Sequence, residues 1–109
     1  MGREIPKLPI PVARALGQLG ADIRNARLRR GLRAAVVAER AQISPPTLSR
    51  VERGDPGVGL GIYATVLWVL GLVEPLGTLA APATDVVGMA LDEERLPQRV
   101  RVRKPRAGK

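Results

Sequence analysis

The chain has 109 residues, enough for one small domain. Cysteine and histidine are both absent, which excludes disulfides, thiol nucleophiles, histidine-based triads and His/Cys zinc sites. Eighteen Lys and Arg against ten Asp and Glu leave a net charge of +8, a balance that implies a polyanionic partner, most often nucleic acid. The charge is uneven. Residues 1–54 hold eleven bases and four acids, and residues 92–109 hold seven bases and three acids. Residues 55–91 hold no base and only Asp55, Glu74 and Asp85. That middle reads as core or subunit interface.

Residues 1–11, punctuated by Pro6, Pro9 and Pro11, read as an extended lead-in. One helical domain is expected over 12–96, its later helices supplying a dimer interface, and a basic flexible tail over 97–109. The first helix is predicted from Val12 to Arg30, with Val12, Leu16, Leu19, Ile23, Ala26 and Leu28 near helical spacing. Gly17 and Gly20 weaken its middle, so one frayed helix or two short ones fit equally. Gly31 stops it. A second helix is predicted over Ala34–Ala41. Ser44 caps a third, with Pro45 and Pro46 in the first turn, where a missing N–H costs little. Gly54 closes that helix near Arg53. A fourth is predicted over Leu60–Leu70, with Leu60, Ala64, Leu67 and Leu70 on its inner face. A short fifth falls around Glu74–Ala80. Thr84 or Asp85 caps a sixth over Val86–Arg95, which Pro97 is expected to end. The bases beyond it predict disorder or a short strand at Arg99–Arg103.

No targeting segment is read at the start. The uncharged run Val58–Val73, sixteen residues long, falls short of the ~20 that a membrane helix needs. No membrane role is predicted, and the expected location is the cytoplasm.

Two short helices joined by a tight turn, the second polar near its start, define a helix-turn-helix. Val37, Ala41, Ile43, Leu48 and Val51 fall where the motif needs apolar residues, and Ala38 supplies the small residue at the close approach. Glu39, Arg40, Gln42, Ser49 and Arg50 fall between them as the exposed set.

On these residues the chain resembles the Xre/Cro family of phage-repressor-like DNA-binding domains over roughly Leu19–Leu72. The strongest segment is Ile43-Ser44-Pro45-Pro46-Thr47-Leu48-Ser49-Arg50-Val51-Glu52-Arg53-Gly54, which looks like the family's turn and recognition helix. Arg27 and Glu52 match the family's arginine in helix one and glutamate late in helix three. Two positions depart from the pattern. Ala34 stands where the family often has a phosphate-contacting glutamine. Gln42 stands at the usual turn glycine, so either Gln42 takes a positive φ or the turn changes. The segments 54–58 and 91–97 are similar to HipB-like antitoxins that partner HipA-like kinase toxins.

The resemblance implies an all-α fold of five to six helices. It also implies a transcriptional repressor that binds double-stranded DNA at a palindromic operator as a homodimer. Such a protein could be the antitoxin of a toxin–antitoxin pair, with a HipA-like kinase toxin as partner. Pro45, Pro46, Ser49 and Arg50 are the candidate base readers. Arg24, Arg29, Arg30, Arg33, Ser44, Thr47 and Arg53 are the candidate backbone contacts. Arg27 and Glu52 are expected to form a structural ion pair, and Tyr63 and Trp68 to serve core or interface. Arg99, Arg101, Arg103, Lys104, Arg106 and Lys109 are expected to add affinity without specificity. The alternative is an interaction adaptor whose helix-turn-helix no longer reads DNA, favoured by Ala34 and the two prolines. No nucleophile–base pair, metal set or phosphate-binding glycine loop is read, so neither an enzyme nor a cofactor is expected.

Overall fold

A computed structural model describes residues 7–103, with side chains as far as residue 95. Among the described residues every regular element is helical: α1 (Ile10–Arg29), α2 (Ala34–Ala41), α3 (Pro45–Glu52), α4 (Leu60–Val69), two short 3₁₀ turns at Glu74–Thr78 and Pro82–Thr84, and α5 (Val86–Arg103). The fold is all-α. The chain divides into two compact units, Met1–Glu74 and Pro75–Lys109.

In the first unit, α3 packs on α1 and α2, and α4 packs on α2 and α3. Ile23, Ala26, Val37, Ala38, Leu48, Val51, Tyr63, Val66 and Leu70 form the buried centre. Helix α1 starts at Ile10, inside the segment expected to be extended. Pro9 provides the carbonyl that accepts from Val12 and Ala13 N–H, each at 3.0 Å, and Pro11 sits in the first turn, where its missing N–H has no intrahelical partner to lose. The helix is continuous through Gly17 and Gly20. Leu28, predicted on its apolar face, is exposed.

Four helices end in one backbone pattern. After α1, α3 and α4 the residue with positive φ is Gly31, Gly54 or Gly71; after α2 it is Gln42, at φ 60°. In each case that residue's N–H and the next one bond back to the last turn. At α3 these bonds are Gly54 N–H to Val51 O at 2.9 Å and Asp55 N–H to Arg50 O at 3.0 Å. At α2 they are Gln42 N–H to Glu39 O at 3.1 Å and Ile43 N–H to Ala38 O at 3.0 Å. This is the Schellman closure, which satisfies carbonyls that the helix leaves orphaned.

Helix α4 turns most of the predicted face inward, with Leu67 and the capping Leu70 buried and Ala64 half-buried, but Leu60 falls outside it. Tyr63, Val66 and Leu67 are buried, whereas Leu60 is 68% exposed and Trp68 63% exposed. Nearly every α4 position is apolar, so periodicity does not mark Leu60 as exposed or Val66 as buried. Packing on α2 and α3 decides both, and the Tyr63 hydroxyl finds its partner in the Asp55 carbonyl at 2.8 Å.

The second unit holds the first 3₁₀ turn from Pro75 onward, the second 3₁₀ turn and α5. The fifth helix expected around Glu74–Ala80 is a single 3₁₀ segment ending at Thr78. Asp85 caps α5, its Oδ1 accepting from Gly88 N–H at 3.0 Å. The helix does not stop at Pro97 and no strand forms at Arg99–Arg103, because α5 runs through both. Proline removes one N–H bond from such a helix. The flanking Leu, Glu, Gln and Arg residues are strong helix formers and carry it past the break. Of the tail, Lys104, Arg106 and Lys109 lie outside the described residues, as does the lead-in before residue 7.

Candidate nucleic-acid interface

The placement of α3 starts at a glycine crossing. Gly20 of α1 is buried against the end of α3. A Cβ on Gly20 would stand 2.5 Å from Gly54 N and 2.7 Å from Val51 O, both backbone atoms. A Cβ on Gly54 would in turn meet the Leu16 carbonyl and lie 2.8 Å from Gly17 Cα. Real Cβ contacts are not that short, so only glycine at both positions lets the two backbones touch. Of the two glycines that weaken the periodic reading of α1, Gly20 is thus the one that seats α3, while a Cβ on Gly17 would meet nothing within 4 Å.

A salt bridge locks the same crossing. Arg27 Nε donates to Glu52 Oε2 at 2.7 Å and Nη2 donates to Glu52 Oε1 at 3.1 Å. Nη1 donates to the Leu32 carbonyl at 3.0 Å. The two side chains keep 11% and 9% of their area exposed. Hydrogen bonding to Glu52 raises the Arg27 pKa above its ordinary value against the opposing effect of burial. This geometry places the pair between α1 and α3 as a fork-to-carboxylate contact.

With Leu48 and Val51 buried, Pro45, Pro46 and Ser49 of α3 and Arg53 at its C-cap are exposed, and Arg50 is half-buried. The prolines and Ser49 therefore stand where the sequence put them. Ser44 and Thr47 are occupied with each other. Ser44 Oγ accepts from Thr47 N–H at 3.2 Å and shares a hydrogen bond with Thr47 Oγ1 at 2.9 Å. Pro45 and Pro46 have no N–H, so the first turn of α3 has no open amide for a phosphate. The start of α2 differs: Arg33 at its N-cap makes no side-chain capping bond, and its carbonyl accepts from Val36 N–H at 3.0 Å and Val37 N–H at 3.2 Å.

The basic side chains are dispersed. Arg24, Arg29, Arg30 and Arg33 are all exposed. Arg24 and Arg29 are five residues apart on one helix and leave it about 140° apart, so the four arginines that cluster in sequence do not share one face. Arg30 Nη1 donates to the Ala26 carbonyl at 2.9 Å, and Arg53 Nη1 donates to Ser49 Oγ at 2.9 Å. Arg50 also has a partner that periodicity did not signal: its Nε donates to Asp55 Oδ2 at 3.0 Å. Asp55 Oδ1 accepts from Gly57 N–H at 2.7 Å. These two contacts, the Gly57 N–H first, hold the Asp55 carboxyl below its usual range.

Among the described residues no group of acidic side chains could hold a metal ion. Among them, too, no helix is long and apolar enough to cross a membrane.

An α3 seated on α2 through a tight turn, its apolar side buried and its polar side in solvent, defines a helix-turn-helix protein. The model of one family, described as helix-turn-helix domain, matches residues 18–82. The chain belongs to that family. No individual curated protein and no solved structure matches it.

Proposed function

We propose that the protein is a transcriptional regulator that reads double-stranded DNA with α3 in the major groove. The observation that carries this reading is the outward face of α3. Ser49, Arg50 and Arg53 stand on it, on a helix anchored from behind by Arg27–Glu52. Arg50 is the base reader, and bidentate pairing of an arginine to guanine discriminates by about 1–3 kcal/mol. Ser49 is a less selective second contact, and Pro45 and Pro46 meet thymine methyls. Arg24, Arg29, Arg30, Arg33 and Arg53 supply phosphate contacts. Ser44 and Thr47 serve as the cap of α3 before they serve DNA.

The finer reading is an Xre/Cro-type repressor acting in the cytoplasm as a homodimer on a palindrome, with no catalytic activity. Exposed Leu60 and Trp68 on α4, and exposed Val86, Val87, Met89 and Leu91 on α5, support a subunit interface. The similarity of residues 54–58 and 91–97 to HipB-like proteins supports an antitoxin role beside a HipA-like kinase toxin.

Selection from a randomised duplex library tests the reading. Two enriched half-sites about one helical turn apart are expected. Arg50→Ala should relax the preference at one base pair in each half-site. Arg30→Ala should weaken all sequences alike. If the wild-type protein enriches no sequence, the adaptor reading stands in its place.

A further inference from the structure

Asp55 lies just beyond α3, and four of its polar atoms are engaged by the chain. Its N–H donates to the Arg50 carbonyl at 3.0 Å. Its carbonyl accepts from the Tyr63 hydroxyl at 2.8 Å, and Tyr63 is buried. Its Oδ1 accepts from Gly57 N–H at 2.7 Å, and its Oδ2 accepts from Arg50 Nε at 3.0 Å. The backbone of Asp55 is thereby tied to the core, its rotamer is held by the turn, and its second oxygen grips Arg50. The grip uses Nε only. Among the described residues neither Nη1 nor Nη2 of Arg50 has a partner, and the side chain keeps 43% of its area exposed. Those two nitrogens form the edge of a guanidinium that pairs with guanine O6 and N7.

We infer that Asp55 is a positioning residue for base readout, holding Arg50 by Nε so that the Nη1–Nη2 edge faces a guanine. The inference rests on the DNA-binding reading above. An untethered arginine loses rotamer freedom when it docks, whereas a tethered one has lost it already. The carboxylate also repels phosphate, so it lowers affinity for DNA in general while sharpening one contact, a device that favours selectivity over strength.

The test is library selection with wild type, Asp55→Asn and Arg50→Lys. It is followed by binding measurements on the selected duplex, on the same duplex with its guanine replaced, and on random duplex. Asp55→Asn keeps an oxygen for Gly57 N–H, and its melting curve checks that it folds. Arg50→Lys keeps the Gly57 and Tyr63 contacts of Asp55 and removes only its grip on the guanidinium, so it stands in if Asp55→Asn melts. A bidentate arginine–guanine pair discriminates about five- to 150-fold. Asp55→Asn is expected to lose about fivefold or more of that preference at one base pair per half-site, keep the other preferences, and bind random duplex at least as well as wild type. Arg50→Lys is expected to lose preference at the same base pair. Retained preference in Asp55→Asn, an equal loss at every position, or a loss in Arg50→Lys at a different base pair overturns the role of Asp55. A wild type that selects no sequence overturns the DNA reading itself, and this inference with it.

Discussion

Helices α2 and α3 are each eight residues long, and each is followed by a residue with positive φ, Gln42 at 60° and Gly54 at 72°. Both ends close with the same pair of backbone bonds. Their surroundings differ. Gln42 is exposed and nothing requires the space its side chain would vacate. Gly54 is buried under α1, where a Cβ would meet backbone. The same local conformation is therefore a tolerated strain at one end and a packing requirement at the other. The φ angle alone does not tell them apart; the neighbour does.

The comparison can be broken most forcefully at Gly54. Gly54→Ala combines the strain of a left-handed alanine with a Cβ 2.6 Å from the Leu16 carbonyl carbon. Because backbone must move, a loss of about 4 kcal/mol or more is expected in urea unfolding. A midpoint within error of wild type would mean that α1 and α3 do not cross this closely.

Glu52→Ala comes next. It leaves the Arg27 guanidinium without its bidentate partner at the same crossing. A loss of about 3 kcal/mol is expected, the low end for a buried pair losing one partner, because about a tenth of each side chain still meets solvent. Thermal melting reads it, and an unchanged melting temperature would show that the pair carries no stability.

Gln42→Gly should move stability the other way. A left-handed non-glycine residue costs about 1–2 kcal/mol, and glycine gives back part of that gain through its looser unfolded chain. The expected net gain is about 0.5–1 kcal/mol. A destabilised Gln42→Gly would show that the glutamine side chain has a structural role at the turn.

Much of the fold was legible in the sequence. Helix α2 has the predicted bounds, and α3 opens after the Ser44 cap and closes before Gly54 as predicted, because caps, prolines and terminal glycines act within a few residues of themselves. Val37, Leu48 and Val51 were readable as core because the tight turn and the helical period leave few alternatives. The inner face of α4 was only partly readable: Leu67 and Leu70 are buried as predicted, but Leu60 is exposed and Val66 takes a place in the core. Where nearly every position is apolar, spacing carries little direction. Pro97 misled for a related reason, since a local breaker competes with the helix propensity on both sides of it. In the candidate interface, the sequence located Ser49 and Arg50 on α3 but did not reveal Asp55. The Arg50–Asp55 contact depends on the closure at Gly54, which folds the chain back after the helix ends.

The sequence by itself determined a helical chain, the helix-turn-helix spacing around Ala38 and Ser44, and a strong excess of positive charge. These are properties of residue type and short-range spacing, and short-range physics suffices to read them. Only the tertiary structure decided that Gly20 and Gly54 form a backbone contact, that Leu60 and Trp68 face outward, that the arginines near the end of α1 diverge, and that Arg50 is held from behind by Asp55. Each of these depends on which distant atoms occupy a few ångströms of space. That occupancy is a result of packing, which no periodicity along the chain encodes.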